Sequence, residues 1–142
     1  MIHFHTQDIK FTLKNKTLLK QWITSTIEKK KRKAGEINFI FCSDDYLLNI
    51  NKQYLNHDTY TDIITFDYSQ ENMNLNINGD IYISTERVKE NALKFSKSFE
   101  DELHRVLIHG TLHLLGYKDK TKIAKAEMTK QEDLCLTALK KL

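Results

Sequence analysis

Apolar and polar residues alternate from Ile2 to Asp8, a period of two that predicts a first strand. The period then lengthens. Leu18, Leu19, Trp22, Ile23 and Ile27 recur at helical spacing within Thr17 to about Lys33, and Gly35 is expected to close that helix. Glu36 to Cys42 holds Ile37, Phe39, Ile40 and Phe41, a short run of β-formers. Ser43, Asp44 and Asp45 then supply an N-cap and an acidic first turn for a helix through Tyr54. Residues 56–59 read as an exposed turn, Thr61 to Tyr68 as a strand, and Asn72 to Asn78 as a polar, asparagine-rich loop. Gly79 to Ser84 makes another strand, and Ser84 or Thr85 caps a helix to about Phe95.

Ser98 opens the next helix, with Glu100, Asp101 and Glu102 complementing its N-terminal dipole. Its stripes of Leu103, Val106, Leu107 and Leu114 and of Ile108, Leu112 and Leu115 leave it apolar on most of its circumference, so it is expected to be central and buried. A last helix spans about Ile123 to Lys140. Strands and helices alternate early and helices gather late, which predicts an α+β fold, a small mixed sheet of about four strands covered by about five helices.

Length and composition narrow this picture without redirecting it. At 142 residues, with no proline, internal repeat or composition shift, the chain is expected to form one domain over residues 1–142. That size buries a core without staples, so a bound metal would be functional rather than structural. No apolar run approaches the roughly 20 residues of a membrane helix, and Met1 to His5 carries no secretory pattern. No membrane partner is expected, cytoplasm is the default location and a monomer the default state. Cys42 and Cys135 lack CxxC partners and read as buried free thiols. The formal charge is only +3, but Lys29 to Lys33, with Arg32 among them, are five consecutive cations. Such a block either contacts phosphates or offsets the C-terminal dipole of the preceding helix.

The chemistry concentrates near the end of the buried helix. His109 and His113 stand four residues apart, about 40° around the axis and about 6 Å along it, so both can face one ion. Gly116 can cap the helix and turn the chain so that Asp119 approaches the same ion from another direction. Three protein ligands with an open position suit an ion that activates water. The alternative is that the two imidazoles bond each other or contact buried carboxylates. His104, about 140° from His109, should not share the ion, and it, His3, His5 and His57 read as surface or satisfied core residues. The zinc-peptidase helix has glutamate after its first histidine as general base; here Gly110 stands there, which argues against peptide hydrolysis. Gly110 is expected to leave room beside the ion for a substrate strand, or else to admit a neighbouring backbone.

The segment from His109 to Tyr117 resembles the signature of the YbeY family of bacterial endoribonucleases. Asn51 to Tyr54, Thr61 to Phe66 and Gly79 to Ser84 resemble further blocks of that family in the same order. The resemblance implies a metal-dependent endoribonuclease specific for single strands, acting in small-subunit ribosomal RNA 3′-end maturation and ribosome quality control. Its partners would be ribosomal RNA and the small ribosomal subunit, and its cofactor one zinc ion. The alternative is a non-catalytic assembly factor whose metal only stabilises the fold. Two departures from the family stand out. Asp119 replaces the third ligand histidine, which still suits zinc but makes manganese more competitive. Leu55 stands where the family often has arginine, so phosphate contacts fall to Lys52 or to Lys118 and Lys120. Within the matching blocks, Asp62 and Asp80 could orient a ligand histidine or help activate water, or simply cap turns. Thr65 keeps a hydroxyl where the family usually has serine, and Asn51 could pair with backbone in a cleft.

Overall fold

The structure, a computed structural model, describes residues 1–69 and 75–142. In chain order the elements are β1 (Ile2–Thr6), α1 (Lys16–Lys29), β2 (Lys33–Cys42), α2 (Asp44–Leu55), β3 (Ile63–Asp67), β4 (Asn76–Ser84), α3 (Thr85–Lys94), α4 (Phe99–Leu114) and α5 (Lys122–Lys140). The four strands form one mixed sheet in the order β1-β2-β4-β3. Strands β1, β2 and β4 run parallel, and β3 pairs antiparallel along β4 as an edge strand. This is the α+β architecture expected from the sequence.

Alternation along the strands sorts their residues onto two faces. Ile37, Phe39, Phe41, Ile77, Ile81 and Ile83 point to one side. There they meet Leu19, Trp22, Ile23 and Ile27 of α1, Leu103, Leu107 and Ile108 of α4, Val88 of α3 and Met128 of α5 in the main core. On the other face Cys42 and Ile64 pack with Leu47 and Ile50 of α2. Helix α4 has nine buried positions, as its apolar circumference predicts. The Trp22 indole N–H donates to the Cys135 carbonyl at 2.8 Å inside the core and ties α1 to α5. Both cysteines are free and buried, and burial pushes the Cys42 thiol up to about 12.

The caps follow the sequence closely. Ser43, Ser84 and Ser98 each accept from the backbone N–H three residues on, opening α2, α3 and α4. Two expectations need correction. Gly35 does not close α1. That helix ends at Lys29, and Lys31 takes the left-handed conformation (φ 61°), with Lys31 N–H donating to the Glu28 carbonyl and Arg32 N–H to that of Ile27. Gly35 instead sits where β2 shifts register against β4, so close to Ile77 and Asn78 that a Cβ would collide. The expected loop over 72–78 is the second correction. Residues 72–74 lie outside the described residues, but Asn76–Asn78 belong to β4, drawn into the sheet by pairing with Lys33 and Ala34 and by Asn78 side-chain acceptance from the Glu36 N–H.

Candidate metal centre and its cavity

Helix α4 presents His109 and His113 on one face because they are four residues apart, and its end is shaped to return the chain toward them. Leu115 is the C-cap and Gly116 adopts φ +102°, a left-handed value that glycine takes at no steric cost. Gly116 N–H donates to the His113 carbonyl at 3.0 Å and Tyr117 N–H to that of Leu112 at 3.0 Å, a complete Schellman turn. The turn carries Asp119 back to the helix face. Asp119 Oδ2 lies 3.2 Å from His109 Nε2 and 3.3 Å from His113 Nε2, while the two Nε2 atoms are 3.0 Å apart.

The other ring nitrogens determine what those three atoms are. His113 Nδ1 lies 3.0 Å from the Tyr117 carbonyl oxygen, which can only accept, so Nδ1 carries the proton. His109 Nδ1 lies 2.5 Å from Glu132 Oε2 and donates to that carboxylate. In neutral rings both Nε2 atoms then bear lone pairs, aimed at each other and at a carboxylate oxygen. Three acceptors this close repel unless a proton or a cation sits among them. Burial opposes charging His109, but the Glu132 bond and charge, with Asp119 and Asp62, outweigh it and hold its pKa above the ordinary histidine value. A metal fits the geometry as well as the electrostatics. Bonds of about 2.0 to 2.1 Å from a tetrahedral ion place its ligand atoms about 3.3 Å apart. His109, His113 and Asp119 are the one such group among the described residues.

Glu132 is the site residue that sequence reasoning missed. It comes from α5 and is only 6% exposed. Arg105 donates to Glu132 Oε1 and to Asp133 Oδ1, both at 2.7 Å, so a fork of hydrogen bonds fixes the carboxylate that fixes His109. A signal was present. Met128, Glu132 and Cys135 recur on the buried stripe of α5, and a carboxylate on such a stripe needs a partner.

The candidates named from sequence separate into those at the site and those away from it. The triad lines a cavity of about 900 Å³ with Asp62, Thr65 and Lys120. Asn51 donates from Nδ2 to the Thr59 carbonyl at 2.8 Å, tying down the loop that forms one wall. Leu55, at the position of the family's arginine, lines the cavity too. Asp62 is close enough to influence His109 electrostatically, but neither it nor Asp80 orients a ligand histidine, because Glu132 and Tyr117 occupy both Nδ1 positions. Asp80 points to the opposite sheet face, where it accepts from Asn38 and from the Tyr68 hydroxyl. Lys52 pairs with Asp58 at 3.3 Å outside the cavity, and Lys118 is exposed beside Asp119. Arg32 lines a separate depression with Lys30, Gly116 and Tyr117. His104 stands apart from the ion site, edge-on to Trp22, and burial lowers its pKa.

Residues 1–140 match a sequence model of the family Endoribonuclease YbeY. The chain belongs to the YbeY endoribonuclease family. A relative named Endoribonuclease YbeY from Karelsulcia muelleri is 50% identical over 141 residues, covering 99% of this chain and 97% of its own. Another of that name from Flavobacterium psychrophilum is 52% identical over 133 residues, 94% of this chain and 92% of its own. Among solved structures, the solution structure of TM1509 from Thermotoga maritima is similar with a TM-score of 0.67 and 31% identity, over 98% of this chain and 89% of that one.

Gly110 has a different role from the one expected. It faces neither the ion nor a neighbouring backbone: a Cβ there would come within 2.8 Å of Ile81 Cγ2 and 3.0 Å of Ile63 Cδ1. One residue advances the helix by about 100°, which turns position 110 from the ion toward the sheet. Gly110→Ala is therefore expected to leave metal binding unchanged. Crowding costs about 1 to 3 kcal/mol and helix propensity returns about 1 kcal/mol. A net loss of about 1 kcal/mol of stability is expected, read as a lowered denaturant midpoint.

Proposed function

We propose that this protein is a single-domain, metal-dependent endoribonuclease that cuts single-stranded RNA during 3′-end maturation of small-subunit ribosomal RNA and in ribosome quality control. The observation that carries this reading is the set of three lone-pair atoms, 3.0 to 3.3 Å apart, on the wall of a cavity large enough for a nucleotide strand. Membership in a family named for endoribonuclease activity supplies the substrate class. A divalent ion there supplies Lewis acidity toward a phosphoryl oxygen and toward water. Zinc suits the two imidazoles, and the carboxylate makes manganese a competitor.

The chain's own residues do the rest. His109, His113 and Asp119 hold the ion and leave one side open to the cavity. Glu132 and the Tyr117 carbonyl keep each imidazole in the tautomer that presents Nε2. Lys120, on the cavity wall, attracts the phosphate backbone, and Lys118, Lys52 and Arg32 extend the attraction along the surface. Peptide hydrolysis lacks its usual base, since Gly110 offers no proton acceptor and faces the sheet.

The test is cleavage of a ribosomal RNA 3′-end fragment in single-stranded and duplex forms, with and without chelator. Cleavage of the single strand is expected, with loss in chelator and recovery on adding zinc or manganese. Undiminished cleavage in excess chelator would contradict the proposal.

A further inference from the structure

The cavity has an acidic end that the metal ligands do not use. Glu102 lies on α4 seven residues before His109, which returns it to within about 20° of the same helix face, about 10 Å along the axis. It is only 6% exposed and lines the cavity. Among the described residues no hydrogen bond or ion pair engages its carboxylate, whose oxygens are not sealed off but open onto the cavity. The adjacent cation, Arg105, is committed to Glu132 and Asp133. Burial raises the Glu102 pKa, and the charge of Asp62 raises it further, against the opposing influence of Lys97 and Arg105. A carboxylate held on a mostly buried side chain, with no protein donor and its oxygens open to a cavity, marks a place where a ligand can bring donors.

The surroundings narrow that ligand. Phosphate is repelled by Glu102, Asp62 and Glu132 together. A second metal cage is not assembled, since the one ligand group among the described residues is the histidine–aspartate triad. What a single carboxylate accepts best is two parallel N–H donors. Of the four RNA bases, guanine alone presents two adjacent donors, N1–H and N2–H, on its Watson–Crick edge; adenine, cytosine and uracil place acceptors beside their donor. Unpaired bases of single-stranded RNA are open to reading on this edge, usually with an aromatic ring to stack on. Tyr60 lines the same cavity, with Arg87 5.2 Å over its ring.

We propose that Glu102 accepts the N1–H and N2–H donors of a guanine flanking the bond to be cut, making the acidic end of the cavity a base-selective subsite. This rests on the reading of the cavity as the RNA site, but its test does not depend on turnover. Equilibrium binding is measured for short single-stranded RNAs that differ only in one guanine replaced by inosine, which lacks the N2 amino group, using the metal-loaded wild-type protein. About tenfold tighter binding of the guanine strand is expected. Equal binding, or no binding of either strand, would overturn the proposal and needs no variant to establish. In Glu102→Gln the preference is expected to shrink to about twofold or less, while bound metal stays at one equivalent; a preference retained in that variant would place guanine recognition elsewhere. Guanine-selective binding without cleavage of any strand would instead leave the subsite standing and count against the nuclease reading.

Discussion

Replacing Asp119 by alanine is expected to weaken metal binding by at least about 100-fold, the upper end of the loss seen when only an outer partner of a ligand is removed. Cleavage is expected to fall with it, while RNA affinity stays within about threefold. The reason is geometric. Asp119 Oδ2 lies within 3.3 Å of both Nε2 atoms, so its removal leaves two imidazoles that define an edge rather than a face of the coordination tetrahedron. Asp119 is about one-third exposed and reaches the site from a loop already fixed by the Gly116 turn, so metal-free stability should change by no more than about 0.5 kcal/mol. Titration calorimetry with zinc, a denaturant curve and a cleavage assay separate the two accounts of the ion. If the ion merely stabilises a binding protein, the variant loses thermal stability and no turnover is at stake. His113→Ala is expected to behave in the same way.

The second large effect is expected at Glu132. Glu132→Gln keeps the side-chain volume but replaces a charged acceptor with an amide, and the dissociation constant for zinc should rise by about 10- to 100-fold. His109 keeps its place yet loses the carboxylate that fixes its tautomer and strengthens Nε2 as a ligand. Glu132→Ala should be worse for the fold. It strips Arg105 of one of two partners in a largely buried setting, where breaking an ion pair costs about 3 kcal/mol or more. Calorimetry reports the first effect and a denaturant midpoint the second. Unchanged zinc affinity in Glu132→Gln would show that the short contact to His109 does nothing for the ion.

These two residues also show what the sequence made legible. Asp119 is ten residues from His109, and a helix of known pitch followed by glycine is enough to bring it beside the two histidines, so the clustering of the three side chains could be read from spacing alone. Glu132 is 23 residues from His109 on a different helix. Its position depends on how α5 packs on α4, which local periodicity does not encode, although its place on a buried stripe was visible. The same division runs through the fold. Serine caps and apolar stripes act within a turn or two, and α2, α3 and α4 open at the residues expected. The start of β4 was misread because tertiary pairing decides it, recruiting Asn76–Asn78 into the ladder, and the end of α1 because Lys31 accepts the left-handed conformation usually left to glycine. Gly110 was assigned the wrong neighbour for a related reason. The sequence shows that no side chain is present, and only the sheet at Ile63 and Ile81 shows what occupies the space.

The central claim is that His109, His113 and Asp119 together hold one catalytic divalent ion. The most direct measurement is the metal content of untagged protein purified without chelators, with zinc titrated into the stripped protein and into Asp119→Ala. One equivalent of zinc per chain, regained after stripping and lost in the variant, is the predicted result. A protein that takes up no ion at saturating zinc, or an Asp119→Ala variant that binds as tightly as the wild type, would contradict the account.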